Sequence, residues 1–384
     1  MDTTRRGFLA QAVLTPVVAS TVLQASAATT AGAEGASSGT AAVPEFDRIC
    51  VEEAFAPQEL LDECRRALED NDPMELGFRR LMGGYFSGRP ASNLLLKRLA
   101  DIGDFRLAEM DENHIRKHLL SITAPGVQHL NDKAQATSLA RLTNDRMADA
   151  VRRHPTRFDA LAACAPQDPP AAAREIERAV KQYGFKGALI NSHTKGEYLD
   201  EEKFWPILAT LDALKVPLYL HPNTPSPQML QPFLKHALDS ATWGFAAETS
   251  LHALRLVMGG IFDRFANLKI VLGHSGEGLP LWLDRIDDRY AFFSSHDEKG
   301  IVPRIRRKPS EYIHDHMYMT TSGQNYTQPA MFMMQVMGSD NVMFAADYPY
   351  ESMATRKAID ALPIADGDKR KLFSDNARRI FKLS

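Results

Sequence analysis

Eight short apolar runs, most of them followed by a longer stretch of helical periodicity, limit what this chain of 384 residues can fold into. The runs span residues 49–55, 117–122, 158–164, 187–190, 217–220, 270–272, 317–321 and 342–346, and are rich in Val, Ile, Leu, Ala or Met. A strand covered on both faces reads as such a continuous run, whereas a strand with one wet face alternates. Eight of them interleaved with helices predict a parallel sheet closed into a (β/α)8 TIM barrel. Helices are expected over 170–182, 200–214 and 249–265, with a basic amphipathic closing helix over 369–384. The connection from Glu52 to about Leu107 is too long for one crossover. It predicts a helical insertion after strand 1 that caps the rim or forms an interface.

Catalytic groups of such barrels gather where the strands end. Four residues that carry chemistry each follow a β-like stretch: Glu52 after 48–51, His221 after 216–220, His274 after 269–273 and Asp347 after 342–346. Two carboxylates and two imidazoles meeting at one rim suit a metal ion and leave an acid/base group to spare. Asn191 and His193 follow the fourth run, placed either to touch substrate or to shape a turn. His252 lies in the apolar stretch 251–258 and reads as a packed helix residue, while His114, His118, His154, His236, His296, His314 and His316 default to the surface. The Met-rich segment 331–337 reads as core filling.

Composition removes several other classes. Lys and Arg total 45 against 48 Asp and Glu, a formal charge of −3, so no nucleic-acid footprint is visible. Cys50, Cys64 and Cys164 are odd in number and lack CxxC spacing, which argues against both a disulfide framework and a thiolate zinc site. At the N-terminus, Thr4-Arg5-Arg6-Gly7-Phe8-Leu9 resembles a twin-arginine export motif, and Ala25-Ser26-Ala27 offers a small-residue cleavage site. Gln11, Thr15, Pro16, Ser20 and Gln24 dilute the apolar run below what a spanning helix needs. The expected organisation is a signal peptide over 1–27, a flexible linker over 28–45 and the barrel domain over 46–384. It implies a periplasmic or otherwise exported protein with no stable membrane span after processing.

Several linked blocks carry a resemblance to a known family. They are Val51-Glu52-Glu53-Ala54-Phe55, Ser121-Ile122-Thr123-Ala124-Pro125-Gly126, Asn191-Ser192-His193-Thr194 with Phe204-Trp205-Pro206, Tyr219-Leu220-His221-Pro222, Phe262-Asp263-Arg264-Phe265 with Gly273-His274-Ser275-Gly276-Glu277, and Ala346-Asp347-Tyr348-Pro349. In this order the chain resembles the metal-dependent amidohydrolase-related decarboxylases, the group that includes aminocarboxymuconate semialdehyde, γ-resorcylate, 2,3-dihydroxybenzoate and salicylate decarboxylases. The resemblance implies a non-oxidative carboxy-lyase acting on a small aromatic carboxylic acid, assembled as a homodimer or homotetramer. By it, Glu52, His221 and Asp347 hold one divalent cation, Asp347 also carries a proton to the ring carbon, and His274 with Glu277 forms an acid/base dyad. Asn191 and His193 fall where substrate binds, and Arg285 matches an arginine that reaches a neighbouring subunit's site.

The family commonly has Glu-x-His on strand 1, and Ala54 stands where that histidine would be. The family implies zinc; a missing imidazole moves the site toward oxygen donors and makes magnesium or manganese more credible. Hydrolytic relatives often use a carbamylated lysine ending strand 4, but here that end is Asn191 and Lys186 enters at the strand's beginning. A binuclear hydrolase is therefore disfavoured. The alternatives that stay open are a mononuclear hydrolase such as a lactonase on the same rim, and a binding or scaffold protein that has lost turnover.

Overall fold

The computed structural model describes residues 46–69, 75–324, 326–353 and 357–384. The signal peptide and linker expected over 1–45 lie outside them. Eight parallel strands follow one another in chain order: β1 Ile49–Phe55, β2 Lys117–Ile122, β3 Phe158–Ala160, β4 Ala188–Asn191, β5 Leu218–His221, β6 Ile270–Leu272, β7 Met317–Thr320 and β8 Val342–Met343. They pair as β1-β2-β3 and β4-β5-β6-β7-β8. An isolated parallel bridge from Ala162 to Ala188 joins the two sets. At the other seam, the Ala54 amide donates to the Tyr348 carbonyl at 2.7 Å.

Side chains divide by strand parity into two apolar clusters. Val51, Leu119, Leu161, Leu189, Tyr219, Val271, Met343 and Ala345 share one, which is the barrel lumen. Leu120, Ile190, Leu218, Leu220, Ile270, Leu272, Met317 and Met319 share the other with residues of the surrounding helices. Both faces of every strand are thus covered, which is why the runs lack polar alternation.

Between β1 and β2 the expected insertion is present as α1 Gln58–Glu69, α2 Leu76–Tyr85, α3 Pro90–Ala100 and α4 Asp104–Glu112. Phe78, Met82 and Leu99 join the lumen cluster, so the insertion packs against the barrel instead of forming a core of its own. Arg80 grips Asp239 through two hydrogen bonds of 2.5 and 2.9 Å, tying α2 to the segment after β5. Arg106 of α4 is fully buried, donates to the Ala54 carbonyl at 2.7 Å, and lies 4.6 Å from the Tyr348 ring centroid. The helix expected over 170–182 is α6 Pro169–Tyr183, preceded by α5 Lys133–Arg153 and followed by α7 Trp205–Leu214. Asp168 caps α6 by accepting from the Ala171 amide, and Gly184 ends it at φ 74°.

β3 ends at Ala160 and not at 164, the helix expected over 200–214 begins at Trp205, and four larger expectations need correction. β8 is shorter than 342–346, because its later amides turn to other acceptors: Phe344 to the Leu372 carbonyl, Ala345 to Thr321 Oγ1 and Ala346 to Glu53. The helix over 249–265 is two, Gly244–Met258 and Ile261–Arg264, divided at Gly259 and at Gly260, whose φ is 70°. The closing helix is Asp366–Arg370 and Asn376–Phe381 with a π-helical turn, Lys371–Asp375, between them. His118 and His316 are buried, not superficial. His118 sits inside β2, and His316 is held through Nδ1 by the Leu268 carbonyl at 2.9 Å. Among the described residues no helix is long and apolar enough to cross a membrane.

Candidate active site

The strand that carries Glu52 is irregular, and the irregularity aims it. Cys50 pairs with His118 and Glu53 with Leu120, so Val51 and Glu52 together oppose the single residue Leu119. This bulge lets two consecutive side chains point into the lumen and re-aims the second toward the rim. Inside, Glu52 is 2% exposed, and its Oε2 accepts from the Tyr219 hydroxyl and, at 3.2 Å, from Thr320 Oγ1. Both donors are lumen-facing residues, Tyr219 on β5 and Thr320 on β7. They fix the carboxylate so that Oε1 faces the other ionisable groups.

Those groups converge on Oε1. His221 Nε2 lies 3.5 Å from it and His274 Nε2 3.6 Å. His274 Nε2 is also 3.5 Å from Asp347 Oδ2. His221 ends β5, its Nδ1–H donating to its neighbour's carbonyl, Pro222, at 2.9 Å, which leaves the Nε2 lone pair free. His274 donates from Nδ1 to Glu277 Oε1 at 2.7 Å. His274, Glu277 and Asp347 all hold positive φ, of 48°, 54° and 58°. Such conformations persist where surrounding contacts enforce them, and they concentrate at functional sites.

The residues fit a divalent cation. Ligand atoms of Glu52, His274 and Asp347 lie within 4.8 Å of one another, with His221 Nε2 beside Glu52. Glu52 Oε1 is a buried oxygen with no hydrogen-bond partner, which a cation would satisfy. Small residues keep the cradle open: a Cβ on Gly273 would come within 2.8 Å of both Glu52 oxygens, and one on Gly323 within 2.7 Å of His274 Cδ2. Burial pushes the His221 imidazole down to about 4 against the pull of Glu52, so it is neutral and able to ligate at neutral pH. For His274 burial also acts downward, but the charges of Glu277 and Glu52 and hydrogen bonds to Asp347 and Glu277 outweigh it and hold the imidazole well above its usual range. Burial raises Glu277, with His274 opposing. Three carboxylates thus surround one imidazole, an excess of negative charge that suits a cation.

The other expected site residues fare differently. Asn191 ends β4, nearly fully buried, with Nδ2 donating to the Thr123 carbonyl at 3.4 Å and Oδ1 unpartnered. His193 lines a narrow pocket with Phe78, Pro125, Gln128, His129 and Asn223. Both its nitrogens serve the backbone, Nε2 donating to the Thr224 carbonyl and Nδ1 accepting from the Gly196 amide. His252 is buried in a second polar network, meeting Ser192 Oγ at 3.2 Å and accepting from the Leu199 amide at 3.0 Å. Arg285 is exposed on the helix Leu283–Ser295, outside the buried cluster. Lys186 pairs with Asp159 at 3.7 Å, at the start of the strands and away from the rim.

Sequence reasoning passed over several contributors. Tyr219 and Thr320 look like ordinary strand residues, though a hydroxyl on the lumen side of an apolar run was a usable signal. His129, stacked on Phe78 at 4.3 Å, had none. Thr123 and Tyr350, hydrogen-bonded to each other, and Tyr85, its ring 6.0 Å from that of Tyr350, form a hydroxylated wall near Asp347.

Fold and cluster together define a parallel barrel with a candidate cation site at its rim. The model of the amidohydrolase family, Amidohydro_2, matches residues 94–383, and the chain belongs to that family. It is 38% identical over 347 residues to γ-resorcylate decarboxylase of Polaromonas sp., a match covering 88% of this chain and 99% of that one. Among solved structures it is similar to 5-carboxyvanillate decarboxylase of Novosphingobium aromaticivorans complexed with manganese and 4-hydroxy-3-methoxy-5-nitrobenzoic acid. There the TM-score is 0.86 and the identity 41%, over 88% of this chain and 97% of that one. A dihydroxybenzoic acid decarboxylase from Polaromonas sp. JS666, with bound manganese and the inhibitor 2-nitroresorcinol, matches at TM-score 0.77 and 37% identity, over 88% of this chain and 97% of that one.

Proposed function

We propose that this chain is a metal-dependent, non-oxidative decarboxylase of a hydroxybenzoate-like acid. The observation that carries the reading is the convergence of His221 and His274 on the unpartnered Oε1 of Glu52, with Asp347 beside His274, in a chain whose relatives along its length decarboxylate hydroxybenzoates. Glu52, His221 and Asp347 would hold the cation, which supplies chelation and Lewis-acid polarisation of the substrate's carboxylate and neighbouring phenolic oxygen. With Ala54 in place of an imidazole and manganese in the relatives' structures, manganese is the proposed ion, ahead of zinc.

Chemistry then falls to the side chains. Protonated Asp347 delivers its proton to the ring carbon that bears the carboxylate. The bond from that carbon to the carboxylate breaks, its electron pair restores aromaticity, and carbon dioxide leaves. His274, 3.5 Å from Asp347 and backed by Glu277, returns a proton to Asp347 and exchanges one with the phenolic oxygen. Metal-stripped protein reconstituted separately with manganese, magnesium and zinc should be incubated with a panel of hydroxybenzoates. Carbon dioxide and phenol in equal amounts are expected, fastest with manganese. Product carrying solvent oxygen would replace the lyase reading with a hydrolase.

Two further properties belong to this proposal. Leu281, Trp282, Phe292 and Phe293 are exposed around Arg285, apolar surface that a second copy of the chain would cover. Light scattering should give a dimer or tetramer, and a monomer at micromolar concentration would refute the assembly. Export follows the twin-arginine route, because paired guanidinium groups at Arg5 and Arg6 are read as a unit. Arg5→Lys with Arg6→Lys should leave the protein in the cytoplasmic fraction, and periplasmic recovery of that double variant would contradict the route.

A further inference from the structure

Glu53 faces away from the metal cluster, yet it is wholly buried. A buried carboxylate needs partners, and these are specific. Oε1 accepts from the Ala346 amide at 2.9 Å and Oε2 from the Tyr348 amide at 3.1 Å, the two N–H groups that flank Asp347. The Ala54 amide completes the arrangement by donating to the Tyr348 carbonyl at 2.7 Å. Asp347 itself sits at φ 58°, a backbone state that a non-glycine residue keeps only where neighbours enforce it.

We propose that Glu53 is a positioning residue, whose carboxylate spans the seam between β8 and β1 and locks the backbone on both sides of Asp347 so that the Asp347 side chain is aimed at Glu52 and His274. A ladder of main-chain bonds would leave residues 344–346 extended. One carboxylate instead collects two amides on either side of a turn, as a ladder cannot. Its charge is met by Arg106, which is buried beside it, donates to the Ala54 and Arg98 carbonyls, and lies against the Tyr348 ring. Cys50, Glu53 and His118 also bring ligand atoms within 4.8 Å of one another. Both Glu53 oxygens are already engaged by amides and the Arg106 charge opposes a second cation, so this group acts as a clip.

The inference rests on the reading of Asp347 as a metal ligand and proton carrier, and the test separates the two. Glu53→Gln keeps one acceptor but turns an NH2 toward an amide N–H. Glu53→Asp keeps the charge beside Arg106 but draws the carboxylate back from one of its amides. The manganese dissociation constant of each metal-stripped full-length variant is measured by calorimetry, with kcat and KM on the reconstituted protein and circular dichroism to confirm folding. Both variants are expected to bind manganese about 10- to 100-fold more weakly, with kcat lowered more than KM is changed. Folded variants with wild-type affinity and kcat overturn the proposal even if their melting temperature falls, since a purely structural role predicts that pattern. Failure of both to fold also overturns it, because the carboxylate would then be a requirement of barrel closure and not of the aim of Asp347. Asp347→Asn is titrated in parallel: wild-type manganese affinity there removes Asp347 from the ligand set, whatever the Glu53 variants do.

Discussion

Asp347→Asn is expected to abolish turnover while leaving the barrel folded. An amide keeps the shape of the side chain but can neither deliver the proton nor supply an anionic ligand. Loss of the proton-transfer role alone lowers kcat by about 10²- to 10⁴-fold, and weaker metal binding adds to it. The backbone around the residue is held from outside, by Glu53 and by the Ala54 amide, so the substitution should cost little stability. Single-turnover rates at saturating manganese, with circular dichroism as the control for folding, decide the matter. A variant retaining more than about a tenth of the wild-type rate would show that proton delivery, worth at least 10²-fold, lies elsewhere.

His274→Ala should separate proton movement from metal binding. The imidazole bridges Glu277 on one side and Glu52 and Asp347 on the other, so removing it breaks the relay while Glu52, His221 and Asp347 remain to hold the cation. Turnover is expected to fall by about 10²- to 10⁴-fold, with metal content after dialysis equal to wild type. Metal lost along with activity would instead make His274 a direct ligand. Its Nε2 stands within 3.6 Å of Glu52 and 3.5 Å of Asp347, so the measurement is a real choice between two arrangements.

The barrel was legible because its strands are buried on both faces and so announce themselves as unbroken apolar runs. β1, β2 and β6 begin and end where the pattern said, since each is bounded by polar or glycine-rich segments. The shortened β8 was not legible, because its end is decided by Leu372, Thr321 and Glu53, partners far away in the chain. The rim residues were readable one by one from their places at strand ends. How Glu52 enters the lumen was not, since the bulge depends on pairing with Leu119, and pairing register leaves no local trace in composition. His118 shows the opposite failure: a charged and polar neighbourhood in sequence became a buried one in space, where the imidazole lies against the Tyr348 ring with Arg106 nearby.

The seam that Glu53 closes also sets the order of events during folding. Glu53 and Tyr348 are separated by 295 positions, as are Glu52, which lies on the first strand, and Asp347, which follows the last. Contacts of such long range form late, after the chain between them has been gathered in. With the proposed ligands Glu52, His221 and Asp347, a nascent or truncated polypeptide would own the first two but lack the third, and metal uptake would then be a late event of maturation. For a protein proposed to leave the cytoplasm already folded, a loaded site would certify that its last strand has arrived.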